Sequence, residues 1–371
     1  MIGIRRVDKA DRRAVKMFAR VGRAVHAGDA QYVPPTDSDI VKRFTGRSAI
    51  HRHVDAGLFL ATDGGREVGR LAAMVNSPYQ GHHREAVGFL GYLAAKDGPT
   101  LDALVAAGEE WLAGRGVTRV VAGYDGSFLI GFSIRTDEFE ETPIFPFPWQ
   151  PPYYAGTLER LGYQPTYPWW FYRTDFASPA YQAASSRALA PGHAKCTVRE
   201  IDKKNWKKEL ELFAKIMDEG FRDEWEYHPV GADQLLEVFG PFKAIVEPWQ
   251  LLFAMVDGKA VAVTLGVRDY SALLKAAKGS MGPRAIARLM FGAKKIREGG
   301  LLVIATLPEF RGRHIGQTLT AHLYRSFERV GMSSAWYYAV NDANRGSRAL
   351  AESMGGEGRV LAHNYDRRIE A

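Results

Sequence analysis

The sequence predicts an α/β protein that contains two copies of one domain. The chain has 371 residues, which exceeds the usual size of a single compact domain. Residues 178–194 are rich in Ser, Ala and Pro and lack helical or strand periodicity, which indicates a linker. The segments on either side resemble each other at a nearly constant spacing. We therefore expect one domain at residues 1–177 and a second at 195–371.

Three pairs of segments carry this internal similarity, at offsets of 193 to 194 residues. They are an apolar-Asp-Lys triplet (7–9 and 201–203), a strand-turn-strand pattern (58–71 and 251–263) and a helix end closed by glycine (158–162 and 351–355). A period of this length is too long for a solenoid repeat and indicates a duplicated domain.

The hydrophobic pattern of the first half predicts that strands and helices alternate. The expected elements are a strand at 2–7, a helix at 12–25, the hairpin at 58–71, a strand at 86–94, a helix at 101–115, a strand at 118–122, a helix at 155–161 and a strand at 169–172. The helix that begins at Leu101 has one apolar face, so we expect a sheet covered by helices. The segment 143–154 mixes aromatic residues with prolines and is interpreted as a covering loop.

Composition excludes several classes of protein. The apolar fraction is 46% and the charged fraction 25%, as in ordinary globular proteins. No apolar stretch approaches the roughly 20 residues that cross a bilayer, and the charged N-terminus does not resemble a signal peptide. We therefore expect a cytoplasmic protein. The single cysteine, Cys196, has no partner for an internal disulfide and no metal-ligand spacing around it, so no metal site is predicted.

The net charge of +7 predicts a partner that carries negative charge. Residues 268–298 contain eight basic and two acidic side chains and hold most of this charge. Apolar residues are interleaved with the basic ones, which predicts one or two amphipathic helices. A solvated face is the simplest interpretation. Nucleic acid is not expected as a partner, because no RNA- or DNA-reading motif accompanies the charge.

Residues 301–330 contain the pattern that predicts a ligand-binding site. An apolar run at 301–305 is typical of a strand buried on both faces, and it leads into Arg311, Gly312, Arg313, His314 and a helix. A turn of this kind presents unpaired backbone N–H groups and the positive end of the helix dipole. Glycine lets a ligand approach the backbone closely, and the arginines add charged donors. The pattern predicts a phosphate site; an ordinary basic surface turn is the alternative.

These residues resemble the GNAT superfamily of acyl-CoA-dependent N-acyltransferases, whose signature is Arg or Gln, two residues, Gly, one residue, then Gly or Ala. Arg311, Gly312, Ile315, Gly316 and Leu319 match the family, whereas His314 stands where it usually has Gly. A second motif follows at the family's spacing and consists of Asn344, Ser347, Leu350, Glu352 and Gly355. The resemblance covers the whole chain as a tandem type. It implies two domains, each a mixed, mostly antiparallel twisted sheet flanked by helices.

The resemblance also implies a binding site for acetyl-CoA or another acyl-CoA. The strand around Ala305 and Leu307 would hydrogen-bond the pantetheine, and Asn344 would lie near the thioester. The pyrophosphate would contact the turn formed by Arg311, Gly312, Arg313, His314, Ile315, Gly316 and Gln317. In the first half, residues 94–100 occupy the corresponding place but offer one glycine, Pro99 and the acidic Asp97. We therefore expect a degenerate first copy and one cofactor per chain.

The catalytic residues depart from the family pattern. Transfer to an amine requires a base, because an alkyl ammonium has a pKa near 10, and the thiolate needs an acid. The family's strand carboxylate is missing, and Ala351 replaces its tyrosine. Replacement candidates are Glu224, Glu226 and His228 in the region expected to line the acceptor site, with Tyr337 or Tyr338 as the acid. Only one of these tyrosines can face the site, because side chains alternate along a strand.

Three functions remain open at this point. The leading hypothesis is transfer of an acetyl or other acyl group from coenzyme A to a small-molecule amine by direct attack. The rival is a non-catalytic acyl-CoA sensor or scaffold, which the missing carboxylate and Ala351 favour. Aminoacyl transfer from charged tRNA rests on basicity alone. The basic segment is interpreted further as a contact for the 3′-phosphate of CoA, an acyl carrier protein or anionic lipid. No feature indicates an oligomeric state.

Overall fold

The computed structural model describes residues 2–240, 243, 246–279 and 282–370. The chain forms two compact units. The first takes the described residues within Met1–Pro168, Ser271–Leu289 and Leu361–Ala371. The second takes those within Trp169–Tyr270 and Met290–Val360. Relative to the expected boundaries, residues 271–289 and 361–370 group with the first unit and residues 169–177 with the second.

The elements up to residue 188 follow the expected alternation. They are β1 (Gly3–Val7), α1 (Arg12–Val25), α2 (Asp37–Phe44), β2 (Val54–Asp63), β3 (Arg66–Asn76), α3 (Ser77–His83), β4 (Val87–Ala95), α4 (Gly98–Ala113), β5 (Arg119–Ala122), β6 (Ile134–Arg135), α5 (Tyr153–Arg160), β7 (Gln164–Asp175) and α6 (Pro179–Ala188).

The elements after residue 188 repeat much of this order. They are β8 (Thr197–Glu200), α7 (Trp206–Gly220), α8 (Ala232–Phe239), β9 (Leu251–Val256), β10 (Lys259–Arg268), α9 (Ser271–Ala277), α10 (Pro283–Gly292), β11 (Glu298–Thr306), α11 (Ile315–Arg329), β12 (Ser334–Asn341), α12 (Arg345–Ser353) and β13 (Glu357–Arg368). The basic segment contains two helices, α9 and α10, as predicted.

The segment 178–194 contains helix α6, although its composition indicated a linker without periodicity. Ser178 caps the helix by accepting a hydrogen bond from the Tyr181 N–H, and Pro179 occupies the first turn, where a missing N–H costs nothing. Alanine gives the segment a high helix propensity without an amphipathic pattern. This explains why periodicity did not reveal the helix.

The first unit has a mixed, mostly antiparallel sheet. Its strands run in the order β1-β2-β3-β4-β5-β13, and only β4 and β5 are parallel. The C-terminal strand β13 pairs with β5 between Tyr365 and Ala122, and β6 pairs with β13 at the side. Helix α4 buries Leu101, Leu104 and Leu112 in the core of this unit.

The second unit has a sheet of the same kind. From β7 onward its order is β7-β12-β11-β10-β9-β8, and among the described strand pairs of this unit β11–β12 is parallel and the others are antiparallel. β7 pairs antiparallel with β12, from Asp175 opposite Ser334 to Trp169 opposite Asn341. This pairing explains why β7 from Trp169 onward belongs to the second unit. Both sheets confirm the predicted fold class.

None of the helices in the described ranges combines the length and the apolar character needed to cross a membrane.

Candidate functional site

The two parallel strands of the second unit separate along their length. β11 and β12 pair from Glu298 opposite Ser334 to Leu301 opposite Tyr337, and within the described range 282–370 no later pair joins them. β11 continues to Thr306 with β10 as its partner. Beyond Leu301 the β12 side of β11 therefore forms an open edge with backbone groups available to a ligand.

The burial of side chains along β11 agrees with this open edge. The apolar run was expected to be buried on both faces, and Leu301 and Ala305 are buried. Leu302, Val303 and Ile304 are only half-buried, however. The strand β12 contributes to the separation through a bulge, because its register with β7 shifts between Tyr337 and Val340, and Ala339 has a φ of 38°.

The turn from Arg311 to Gly316 joins β11 to α11. Gly312 and His314 both have positive φ, at 73° and 60°. Helix α11 begins at Ile315, and its first backbone bond is donated by the Thr318 N–H to the His314 carbonyl at 3.1 Å. Within the described chain, the N–H groups of residues 312–317 have no hydrogen-bond partner. Six consecutive free donors at the positive end of a helix dipole are suited to donating hydrogen bonds to an anion.

Two arginines surround this turn. The Arg311 guanidinium donates to the Gly220 carbonyl at 2.8 Å, at the end of α7. The Arg313 guanidinium lies 4.9 Å from the centre of the Phe310 ring. Both side chains are exposed, so their charges are available to an anion in solution.

His314 belongs to a small polar cluster. Its Nδ1 lies 2.9 Å from Gln317 Oε1, and Nε2 of His193 lies 3.1 Å from the same oxygen. An amide oxygen only accepts, so both imidazole nitrogens act as donors there. Gln317 Nε2 in turn donates to Ser353 Oγ at 3.0 Å. The imidazole of His314 is thereby held by α11 itself, which leaves the backbone donors of the turn uncapped.

A loop at residues 221–231, termed the acceptor loop here, follows α7. Two of its turns are closed by Glu224 N–H to Phe221 carbonyl and by Tyr227 N–H to Glu224 carbonyl. The loop starts beside the end of β11, since a Cβ added to Gly220 would lie 3.0 Å from Ala305 Cβ. The acceptor loop, Ala305 and Arg311 therefore lie together.

A chain of hydrogen bonds links the acceptor loop to α12 and β12. Asn344 Nδ2 donates to Glu224 Oε1 at 2.7 Å. Asn344 Oδ1 caps α12 by accepting from the Ser347 N–H at 3.0 Å. Ser347 Oγ lies 2.6 Å from the Tyr337 hydroxyl. The structure thus connects four residues that sequence reasoning had named separately: Glu224, Asn344, Ser347 and Tyr337.

The two glutamates of the acceptor loop have raised pKa values. Burial raises the pKa of Glu226 to about 8, and the negative charge of Glu224 acts in the same direction. Burial also raises the pKa of Glu224, against the opposing effect of the Arg311 charge. A carboxylate with a pKa near 8 is a stronger base than an ordinary one, and such groups often mark functional sites.

The described contacts of the other sequence candidates lie outside this chain of hydrogen bonds. His228 is buried, and its Nδ1 donates to the Pro229 carbonyl at 3.2 Å. The Tyr338 hydroxyl packs against Gly300, in the paired segment of β11 rather than along its open edge. Leu307 donates its N–H to the Val261 carbonyl, and its own carbonyl accepts from Phe310 N–H, both at 2.9 Å. Its backbone is therefore engaged within the protein.

Sequence reasoning missed His193. It lies in the segment 178–194, more than 100 residues before the turn, and no local pattern connects the two. Ser347 was noted only as part of a motif, and nothing in the sequence indicated its contact with Tyr337. A bulge such as that at Ala339 has no reliable sequence signal, so the facing tyrosine could not be chosen from alternation alone.

Residues 212–355 match the family described as "Acetyltransferase (GNAT) family". The chain contains a GNAT domain. The matched range includes the open edge of β11, the turn at 311–316 and the motif that begins at Asn344.

Two relatives match the chain over most of its length. The bacterial ceramide synthase of Caulobacter vibrioides (strain NA1000 / CB15N) is 22% identical over 354 residues, which cover 92% of this chain and 91% of the relative. Protein YghO of Escherichia coli (strain K12) is 20% identical over 365 residues, which cover 96% and 93%. The alignments extend well beyond the GNAT domain and include the first half of the chain.

Solved structures show the tandem fold. A tandem GNAT protein from the clavulanic acid biosynthesis pathway has a TM-score of 0.58 at 12% identity, covering 99% of this chain and 98% of that one. A GCN5-related N-acetyltransferase from Sphaerobacter thermophilus has a TM-score of 0.50 at 14% identity, covering 99% and 95%. At this identity the likeness concerns the fold alone, and it agrees with the predicted fold of two similar domains.

Proposed function

We propose that the protein is an acyltransferase that moves an acetyl or longer acyl group from coenzyme A to an amine. The observation that carries the proposal is the run of unpaired N–H groups at residues 312–317, directly after the open edge of β11. The pyrophosphate of an acyl-CoA would accept from these donors, and Arg311 and Arg313 would add charge. The amides of pantetheine would pair with the open edge near Ala305.

The acceptor loop supplies the base in this proposal. A proton of the incoming ammonium passes to ionised Glu226, the neutral amine nitrogen then attacks the thioester carbon, and the carbon–sulfur bond breaks. With a pKa of about 8, Glu226 accepts this proton far more readily than an ordinary glutamate. Glu224 acts as a positioning residue, because it holds Asn344 at the start of α12.

Tyr337 supplies the proton for the thiolate in the same proposal. Burial raises the pKa of Tyr337 above its ordinary value, so the phenol stays protonated at neutral pH and can act as a donor. Its contact with Ser347 joins it to the network of Asn344 and Glu224. Among the two tyrosines considered from sequence, this contact favours Tyr337 over Tyr338.

Calorimetry with acetyl-CoA tests the donor site. Arg311→Glu should weaken binding about 10- to 100-fold, because it removes a charged donor and adds a repelling charge. Arg6→Glu makes the same charge change at an exposed position of β1 and should leave binding unaltered. Absence of binding by the wild type, or equal binding by both variants, would refute the donor site.

Thiol release separates the enzyme from a non-catalytic acyl-CoA sensor. The acceptor panel should include short amines and a long-chain amino alcohol, since the Caulobacter relative is named a ceramide synthase and a ceramide is an N-acylated amino alcohol. Amine-dependent release of coenzyme A that requires Glu226 supports the enzyme. Tight acyl-CoA binding without release for any amine would favour the sensor.

A further inference from the structure

Helix α10 exposes apolar side chains to an unusual degree. Among the described residues, four large apolar side chains are exposed, and three of them lie on this ten-residue helix. They are Ile286 at 45%, Met290 at 54% and Phe291 at 79% exposure. A solvated basic face, the simplest interpretation of the sequence, does not account for them, because contiguous exposed apolar surface marks an interaction site.

The exposed residues share one side of the helix. Ile286 and Met290 are four residues apart and form one row, and Ala287 and Phe291 form the neighbouring row. These two rows are the apolar face of α10. The next row consists of Arg284 and Arg288, both exposed, so one border of the apolar face is cationic.

Two contacts fix the helix to the protein. Leu289, on the border opposite the arginines, is only 6% exposed. On the cationic border, the Arg288 guanidinium donates to the Ala276 carbonyl at the end of α9 at 2.9 Å. Both contacts lie at the borders of the apolar face. The apolar face is therefore presented outward as part of the folded chain.

The surrounding chain is positively charged throughout. Between Tyr270 and Arg297 there are seven basic residues and no acidic one. Lys294, Lys295 and Arg297, which follow α10 directly, are all exposed. A surface that binds here must offer negative charge next to an apolar phase.

We propose that α10 is an interfacial helix that holds the protein on a bilayer containing anionic phospholipid. The apolar face would enter the boundary between headgroups and acyl chains, and the bordering arginines and lysines would contact lipid phosphates. A fluid bilayer accepts three protruding side chains without a preformed cavity, whereas a folded partner protein would need a matching groove. This inference goes beyond the proposed acyl transfer, which does not require it.

Flotation of the full chain with vesicles tests the proposal. The wild type should bind vesicles of phosphatidylcholine mixed with phosphatidylglycerol, bind phosphatidylcholine vesicles weakly, and lose binding as salt is added. The combined variant Ile286→Ser, Met290→Ser and Phe291→Ser should bind at least about tenfold more weakly. Met17→Ser removes the fourth exposed apolar side chain, on α1, and should bind like the wild type.

A second variant separates charge from apolar contact. Lys294→Glu with Lys295→Glu should abolish the preference for anionic vesicles. All variants replace exposed side chains, and unchanged acetyl-CoA affinity would show that they are folded. The proposal is overturned if wild type and triple variant float equally, or if the wild type does not bind anionic vesicles. In the latter case, binding of acyl carrier protein lost in the triple variant would assign the face to an acidic protein, and a dimer lost in that variant would assign it to a second copy.

Discussion

The junction of β4 with α4 and that of β11 with α11 follow the same succession of strand, turn and helix, but they treat their helix N-termini differently. In the first unit Asp97 caps α4, because its carboxylate accepts from the Thr100 N–H at 2.9 Å and from the Thr100 hydroxyl at 2.6 Å. In the second unit His314 occupies the N-cap of α11 and its side chain caps nothing. The N-terminus of α4 is therefore capped by a carboxylate of the chain itself, whereas the N-terminus of α11 can accept an anion from solution.

The strands β4 and β11 also differ in whether their backbone groups have partners. Where β4 ends, the Tyr154 hydroxyl accepts from the Ala95 N–H at 2.7 Å and the Tyr153 hydroxyl donates to the Ala95 carbonyl. Farther back, the Tyr92 N–H donates to the Asp125 carboxylate at 2.6 Å. These side chains satisfy backbone groups that β11 leaves available along its open edge.

The proposed acyl-CoA site lies where the second unit lacks the side-chain caps that the first unit has. Asp97, Asp125 and the two tyrosines occupy in the first unit the places that a ligand would take in the second. The aromatic segment 143–154, which sequence reasoning interpreted as a covering loop, contains these tyrosines at the start of α5, and its Trp149 is buried. The difference predicts that only the second unit binds an acyl-CoA.

The largest expected effect is on the rate of acyl transfer, which we propose for the second unit alone. Glu226→Gln should lower kcat by about 10²- to 10⁴-fold, because it removes the general base. Acetyl-CoA binding should persist. Steady-state kinetics with the best acceptor measures the change, and Glu211→Gln, at an exposed site on α7, is the control. A normal kcat in Glu226→Gln would exclude this base.

The pH dependence of Glu226 provides an independent measurement. The ionised form is the base, so wild-type kcat/KM should rise with pH and level off above about 8. The raised pKa means that the folded protein favours the protonated form. The wild type should therefore lose unfolding free energy relative to Glu226→Gln as pH rises from 4.5 to about 8, as measured by denaturant titration.

The next effect comes from giving the second junction an acidic residue like that of the first. His314→Asp places a carboxylate beside the free donors and should weaken acetyl-CoA binding about 100-fold, or about 2.7 kcal/mol. Calorimetry measures the affinity. His322→Asp, about two turns farther along α11 on an exposed site, should change it little. Equal effects of both substitutions would show that general charge, not the turn, matters.

A smaller effect is expected when the first junction loses its cap. Asp97→Ala should cost about 1 kcal/mol of unfolding free energy, since α4 loses an N-cap. Acetyl-CoA affinity should not change, because the edge of β4 remains occupied by Tyr153 and Tyr154. A second acetyl-CoA bound per chain in this variant would contradict the assignment of the open site to the second unit.

The smallest effect concerns the left-handed backbone at residue 314. His314→Gly and His314→Ala both remove the imidazole, but glycine accepts a φ of 60° without strain. The glycine variant should unfold with about 1 kcal/mol more free energy than the alanine variant. Both should bind acetyl-CoA within about threefold of the wild type, and a much larger loss would show that the imidazole itself contacts the phosphate.

Local patterns were sufficient for most elements of the fold. Helix α1 spans Arg12–Val25 as predicted, because its apolar spacing and the Asp11 cap lie within one short segment. The pairing of strand β13 with β5 and β6 was not foreseen, since these partners lie more than 200 residues earlier. The turn from Arg311 to Gly316 could be predicted from the sequence because its residues form one contiguous motif. The pair of Asn344 and Glu224 depends on a contact across 120 residues, which a sequence pattern does not specify.

The position of β13 has a consequence for synthesis on the ribosome. The first unit includes Leu361 to Arg368, so β5 lacks this neighbour until residues 169–360 have been translated. During that period the edge of β5 is unpaired, and unpaired strand edges promote aggregation. A stop codon placed after the first half would therefore leave β5 without this neighbouring strand.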